Sequence, residues 1–291
     1  MVILEKSRSG SVFMGYKAIA DYGIVGNGVT SALIAKDGAV DWLCLPYMDS
    51  PSVFAAILDC KNGGSFAIQP AAEAWDAVQE YLPQTNILRT RFRTISGELE
   101  ITDFMPVSTE GSLGKSMNQA LLRKIACVQG KMQVRLACRP RFNYGRDVPE
   151  TNTVSEYIQT WHAGNDSLSL FTSVPLSWEN ESASLELTDG QACWTALAWG
   201  TLTETPFPSN SRPDELLSRT QCYWQEWVRS IQTGKYPGYG AWQTNLDRCA
   251  LVMKLLQFSE TGAIAAAGSC SLPTIVHGVR NWDYRFSWIR D

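Results

Sequence analysis

The chain has 291 residues, of which 45% are hydrophobic and 19% charged, a globular composition with length for one large or two ordinary domains. Its formal net charge of -4 leaves no basic footprint for nucleic acid or for an anionic membrane surface, so neither is expected as a partner. Eight cysteines carry no C-x-x-C pair and are accompanied by only two histidines, which argues against a zinc or redox centre.

The first 20 residues lack a basic stretch followed by an apolar run, and no later segment is apolar over about 18 residues. A cytoplasmic protein with reduced, mostly buried cysteines is therefore expected.

From Met14 to Gly200 the pattern is strand, turn, strand. In "TSALIAKDGAVDWLCLP" two apolar runs flank Asp37-Gly38, a hairpin signal. In "NILRTRFRTISGELEITDFMP" Arg89, Arg91 and Arg93 alternate with Leu88, Thr90 and Phe92, the period of two that marks a half-buried strand. The same grammar predicts hairpins at Gln129-Gly130 and Asp189-Gly190. Many short strands with no helices between them predict a mostly β fold, an antiparallel sandwich of two sheets over residues 1–205. Trp42 and Trp194 read as core, and His162 beside Trp161 reads as sandwich surface.

A proline-rich stretch with Pro206, Pro208 and Pro213 then leads into a linker helix over 206–236, with Ser211 as the expected N-cap. Leu216, Thr220, Tyr223, Trp224, Trp227 and Ile231 recur at helical spacing until Gly234. A second helix places Trp242, Leu246, Cys249, Met253 and Leu256 along one face, widened by Val252 and Leu255. Apolar surface is worth roughly 25 cal/mol per Å² when buried, so this wide face asks for partners beyond those within the chain.

The last fourteen residues, "GVRNWDYRFSWIRD", are the most chemically loaded. Together with "IADYGIVGNGVTSALIAKDGAVDWLCLPYMDSPSVFAAIL", "ITDFMP", "RPRFNYG" and "LLQFSETGAIAAA", taken in that order along the chain, they resemble bacterial members of glycoside hydrolase family 15, the glucoamylase, glucodextranase and α,α-trehalase family. The resemblance implies an N-terminal β-sandwich, a helical linker and, over residues 237–291, the first and incomplete part of an (α/α)6 barrel. It further implies an α-glucosidic substrate, such as maltodextrin, an isomaltose-type sugar or trehalose, hydrolysed with inversion. That chemistry uses an acid and a base carboxyl roughly 6.5 to 9.5 Å apart and requires no obligatory cofactor.

By the same resemblance Arg290 and Asp291 match the innermost sugar-binding pair, while Trp288 and Tyr284 match aromatic pocket residues. An adjacent arginine and aspartate suit neutral hydroxyls because one donates and the other accepts. Trp282, Asp283 and Arg285 look like an ion-paired turn that supports the pocket wall. Without the resemblance, these residues would read as a helix start with a local ion pair and core aromatics. The two catalytic glutamates have no matching position among the 291 residues, so the chain alone is expected to be inactive. Glu98, Glu100 and Asp103, on a predicted sandwich strand, read as solvent-facing carboxylates. Two rival readings are a non-catalytic β-sandwich that binds carbohydrate or docks onto a partner, and a product of a premature stop.

Overall fold

A computed structural model of the chain describes residues 15–107, 117, 119–207, 212–232, 240–272 and 282–288. The described residues form an antiparallel, mostly β structure followed by two helices. The first sheet contains β1 (Tyr22–Gly26), β2 (Ser31–Ala35), β3 (Ala39–Cys44), β4 (Ser52–Phe54) and β5 (Ser65–Pro70). The second begins with β6 (Asp76–Tyr81), β7 (Leu88–Thr94) and β8 (Gly97–Phe104). The long strand β9 (Ala120–Arg139) follows, then β10 (Glu150–Ser155), β11 (Ile158–Ala163), β12 (Asp166–Thr172), β13 (Trp178–Glu179), β14 (Ser182–Thr188) and β15 (Ala192–Trp199).

The joint between the sheets is β9. Its first half pairs with β8 and β15, and its second half with β5 and β14. The second sheet therefore runs β6-β7-β8-β9-β15-β12-β11-β10, while the first runs from β1 through β5 and β9 to β14 and β13. Between them lies one core in which Val25, Ile34 and Phe66 meet Phe92, Ile125 and Trp161, all nearly without solvent exposure. The alternation read from the sequence of β7 holds residue by residue, with Leu88, Thr90 and Phe92 buried and the three arginines turned outward.

Two of the three expected hairpins are not hairpins. At Gln129-Gly130 the chain does not reverse; it continues along β9 while changing sheets, and Gly130 takes a φ of 77° opposite Gly97. At Asp189-Gly190 the chain turns, but β14 and β15 do not pair with each other and instead join opposite halves of β9. Both crossings lie side by side, tied by Cys127 N to Gln191 O at 2.9 Å and Gly190 N to Cys127 O at 3.0 Å. A glycine between two alternating runs signals a bend of either kind, because positive φ is all that the residue type reveals. The Asp37-Gly38 hairpin between β2 and β3 is present as expected.

Asp103 also departs from expectation. It lies on the strand anticipated for it, but its side chain is fully buried, whereas Glu98 and Glu100 face outward and pair with Arg91.

Helix α1 (Pro213–Gln232) covers part of the outer face of the second sheet. Its Leu216, Trp224 and Val228 pack with Phe104, Leu122, Trp194 and Ala196 in a second apolar cluster. Thr220 is buried as well, but Ile231 is exposed, and Ser211 and Gly234 lie outside the described residues. Helix α2 (Gln243–Leu256) joins that cluster through Leu251, Leu255 and Leu256. Val252, also anticipated on this face, is half-buried against the cluster, whereas Trp242 is 69% exposed, Leu246 40% and Met253 57%, and Cys249 is exposed too.

Candidate functional site

After α2 the chain runs back along the sandwich. Ser259 N bonds to Gly28 O at 2.8 Å, and Phe258 meets Tyr47 edge-on with ring centroids 6.0 Å apart. Gly268 then passes so close to the first sheet that its carbonyl accepts from Trp42 Nε1 at 2.9 Å and from Ser31 Oγ at 3.3 Å. A Cβ at this position would lie 2.6 Å from Ile24 Cδ1 and 2.9 Å from Ser31 Oγ, so the approach requires glycine. Trp42 is fully buried, as its apolar strand suggested, and its ring nitrogen is also what docks this segment.

The segment Trp282–Trp288 is laid on that first layer. Ser271 N bonds to Trp282 O at 2.9 Å, Ala267 N to Tyr284 O at 2.7 Å and Ala266 N to Phe286 O at 3.2 Å. The chain turns at Tyr284 and Arg285 rather than running on as a strand. Tyr284 and Trp288 stack at 5.3 Å with 10° between their planes, and Trp282 meets Trp288 edge-on at 6.1 Å. Tyr284 and Trp288 are half-buried, while Trp282 and Phe286 are exposed.

Arg285 points the other way and is 7% exposed. Its Nη1 donates to Ser50 O at 2.6 Å and to Met48 O and Cys44 Sγ, both at 3.3 Å. Its Nη2 donates to Tyr144 Oη at 2.7 Å and to Asp283 Oδ2 at 2.6 Å, and its Nε donates to Asp283 Oδ1 at 2.9 Å. The guanidinium also lies 5.8 Å from the Trp42 ring centroid and 5.6 Å from that of Tyr144. One arginine thus gathers residues from three separated stretches of sequence. Hydrogen bonds that involve a charged group contribute roughly 1.5 to 3 kcal/mol each, which gives this contact the strength of a buried anchor.

The electrostatics follow from this packing. Burial alone would raise the Asp283 carboxyl, but the hydrogen bonds from Arg285 outweigh it and hold the group below the usual carboxylate range. Burial opposes the charge on Arg285, yet Asp283, Cys44 and Tyr144 together raise its pKa. Burial pushes the Cys44 thiol up to about 12, with Arg285 opposing, so Cys44 is a neutral thiol here. Beside the anchor is a cleft of about 140 Å³ lined by Met48, Leu256, Phe258, Arg285, Phe286 and Ser287.

Of the seven site residues read from the sequence, the structure brings Trp282, Tyr284 and Trp288 into one aromatic cluster and Asp283 and Arg285 into one ion pair. Arg290 and Asp291 lie outside the described residues. His162 is half-buried beside the fully covered Trp161. Sequence reasoning missed Tyr144, Cys44 and the carbonyls of Met48 and Ser50. The first two lie in conspicuous segments, "RPRFNYG" and "GAVDWLCLP", but pairing them with Arg285 requires contacts more than 140 positions apart along the chain. Among the described residues no three His, Cys, Asp or Glu side chains are grouped to hold a metal, and no helix is long and apolar enough to cross a membrane.

Fold and site together define a β-sandwich with an aromatic wall anchored on its flank by a buried arginine. The family described as "Trehalase-like, N-terminal" matches residues 13–189, and the chain belongs to it. Curated relatives include the trehalase of Mycolicibacterium smegmatis, 35% identical over 299 residues, and that of Thermoplasma volcanium, 32% identical over 285. Trehalase 1 of Sulfolobus acidocaldarius is 33% identical over 271 residues. These alignments cover 95%, 95% and 92% of this chain but only 43%, 44% and 43% of the respective relatives. The chain therefore spans less than half the length of the proteins it matches.

Proposed function

We propose that this chain is the sandwich and pocket-wall portion of an inverting α-glucoside hydrolase, with trehalose as its first candidate substrate. The observation that carries the reading is the aromatic wall of Tyr284 and Trp288, anchored to the sandwich by Arg285. Aromatic faces stack on the apolar faces of a pyranose, and an adjacent arginine and aspartate complete the recognition of its hydroxyls. The names of the relatives favour trehalose over maltodextrin and isomaltose-type sugars.

In this reading residues 1–205 form the sandwich domain, 206–236 a linker helix, and 237–291 the opening of an (α/α)6 catalytic domain. The apolar face that α2 leaves in water, Trp242, Leu246 and Met253, is where later barrel helices would pack. The 291 residues by themselves bind or shape one side of the pocket and do not turn over substrate, because the resemblance places both catalytic glutamates in later helices.

The test is glucose release from trehalose, maltose and isomaltose by the purified chain and by the protein at the relatives' length. Hydrolysis of trehalose by the longer form alone, abolished by Asp291→Ala, is the expected result. Steady release by the 291-residue chain, unaffected by Arg290→Ala and Asp291→Ala, would overturn the reading. Sugar binding retained by residues 1–205 alone would replace it with a non-catalytic binding module.

A further inference from the structure

The turn from Phe142 to Gly145 is the most unusual backbone of the described residues. Asn143 takes φ 52° and ψ 50°, Tyr144 takes φ 60° and ψ 35°, and Gly145 follows with φ 86°. Two successive non-glycine residues in the left-handed region cost roughly 1–2 kcal/mol each. Such geometry persists only where the surroundings over-determine it, and it concentrates at functional positions. Here the surroundings are explicit. Phe142 N bonds to Asp147 O at 3.0 Å and Asp147 N to Phe142 O at 3.1 Å, and the Phe142 ring is buried in the sandwich core.

What the unfavourable turn achieves is the direction of one side chain. Tyr144 Oη receives Arg285 Nη2 at 2.7 Å. Every other oxygen on Arg285 is either a backbone carbonyl of Met48 or Ser50 or belongs to Asp283, two residues away on the same segment. Asp283 travels with the wall and cannot fix it to the sandwich. Among the described residues, Tyr144 is the side-chain oxygen through which the sandwich holds the guanidinium.

We propose that Tyr144 is a positioning residue: its left-handed turn fixes the phenol on Arg285 and thereby sets the attitude of the Tyr284–Trp288 stack against the sandwich. This inference rests on the reading of that stack as sugar-facing, and it assigns to the N-terminal domain a task in the chemistry of a site it does not itself complete.

The test uses two variants of the chain. Tyr144→Phe keeps the ring and removes the oxygen, and Asn143→Gly keeps the oxygen and the shape of the turn, since glycine takes the left-handed φ of that position without strain. Loss of one hydrogen bond to a charged group predicts about a tenfold rise or more in amide exchange across Trp282–Trp288 for Tyr144→Phe. Exchange in β9 and β15 stays unchanged, and the near-ultraviolet circular dichroism of the stacked rings falls. Asn143→Gly leaves the exchange of Trp282–Trp288 within about twofold of the parent.

Unaltered exchange in Tyr144→Phe, or loosening spread equally over the sandwich strands, overturns the proposal. In the protein at the relatives' length, Tyr144→Phe raises KM for trehalose about tenfold and leaves kcat within about twofold. If the parent protein at that length hydrolyses neither trehalose nor maltose, the functional reading fails, while the exchange data still decide whether Tyr144 positions the wall.

Discussion

Asp103 and Arg123 form a bidentate ion pair with both side chains wholly out of solvent, Nε to Oδ1 at 2.7 Å and Nη2 to Oδ2 at 3.3 Å. The same guanidinium donates to Phe66 O at 3.0 Å and to Gly38 O at 2.7 Å, and lies 4.9 Å from the Phe66 ring centroid. The pair is carried by β8 and β9 in the second sheet, and its remaining donors satisfy carbonyls of the first. It therefore pins the two sheets in one relative placement.

Removing one partner of such a pair strands a buried charge. Asp103→Ala is expected to destabilise the sandwich by about 3–5 kcal/mol, whereas the double variant Asp103→Leu with Arg123→Met costs less than the single one. Urea unfolding followed by tryptophan fluorescence measures both, and a single-variant loss under about 1 kcal/mol would contradict this account.

The two sides of α2 should respond oppositely. Leu255 is fully buried, and Leu255→Ala is expected to cost about 2–5 kcal/mol. Met253 is 57% exposed in this chain, and Met253→Gln is expected to change stability by no more than about 0.5 kcal/mol. In the protein at the relatives' length the second substitution becomes costly if later helices cover that face, so thermal melts of both forms provide the comparison.

The ion pair that braces the turn of the aromatic segment should weaken in acid. The Asp283 carboxyl is held below its ordinary value when paired with Arg285, so its contribution is present above the unfolded value of about 3.9. As the pH falls below that value the unpaired form takes up a proton first, and the contribution is lost progressively down through the depressed folded value. Amide exchange of Trp282–Trp288 measured from pH 6 to pH 3, corrected for intrinsic rates, should accelerate relative to β9, and Asp283→Asn should flatten the difference.

Thiol reactivity should divide the eight cysteines by environment. Cys222 and Cys249 are exposed and should react first with an aromatic disulfide reagent in the native protein at pH 8. Cys44 and Cys193 are buried, with thiols pushed up to about 12 by burial, and should react only on unfolding. Labelling of Cys44 before Cys222, read by peptide mass, would show that the wall does not stay docked.

Local pattern accounts for much of the fold. The period of two placed Leu88, Thr90 and Phe92 inside and their arginines outside, and helical spacing located α1 and α2. The same pattern could not distinguish a hairpin from a strand that changes sheets, so Gly130 and Gly190 were legible as bends but not as crossings. Nor could it show that Asp103 turns inward, because a carboxylate on a strand is ordinarily solvated and only the distant Arg123 and its own carbonyl partners make burial tolerable. At the candidate site the aromatic cluster and the Asp283–Arg285 pair lie within seven consecutive residues and could be read locally. Tyr144 could not.

By itself, then, the sequence determined the alternating strands, the amphipathic helices, the family and the short segment dense in aromatic and charged groups, since each of these depends on spacing along the chain or on residue type. The tertiary structure alone decided which halves of β9 serve which sheet, which side of α2 is buried and what holds the wall in place. Those outcomes depend on burial and on hydrogen bonds between groups far apart in sequence, and their strength comes from the exclusion of water that only the assembled fold provides.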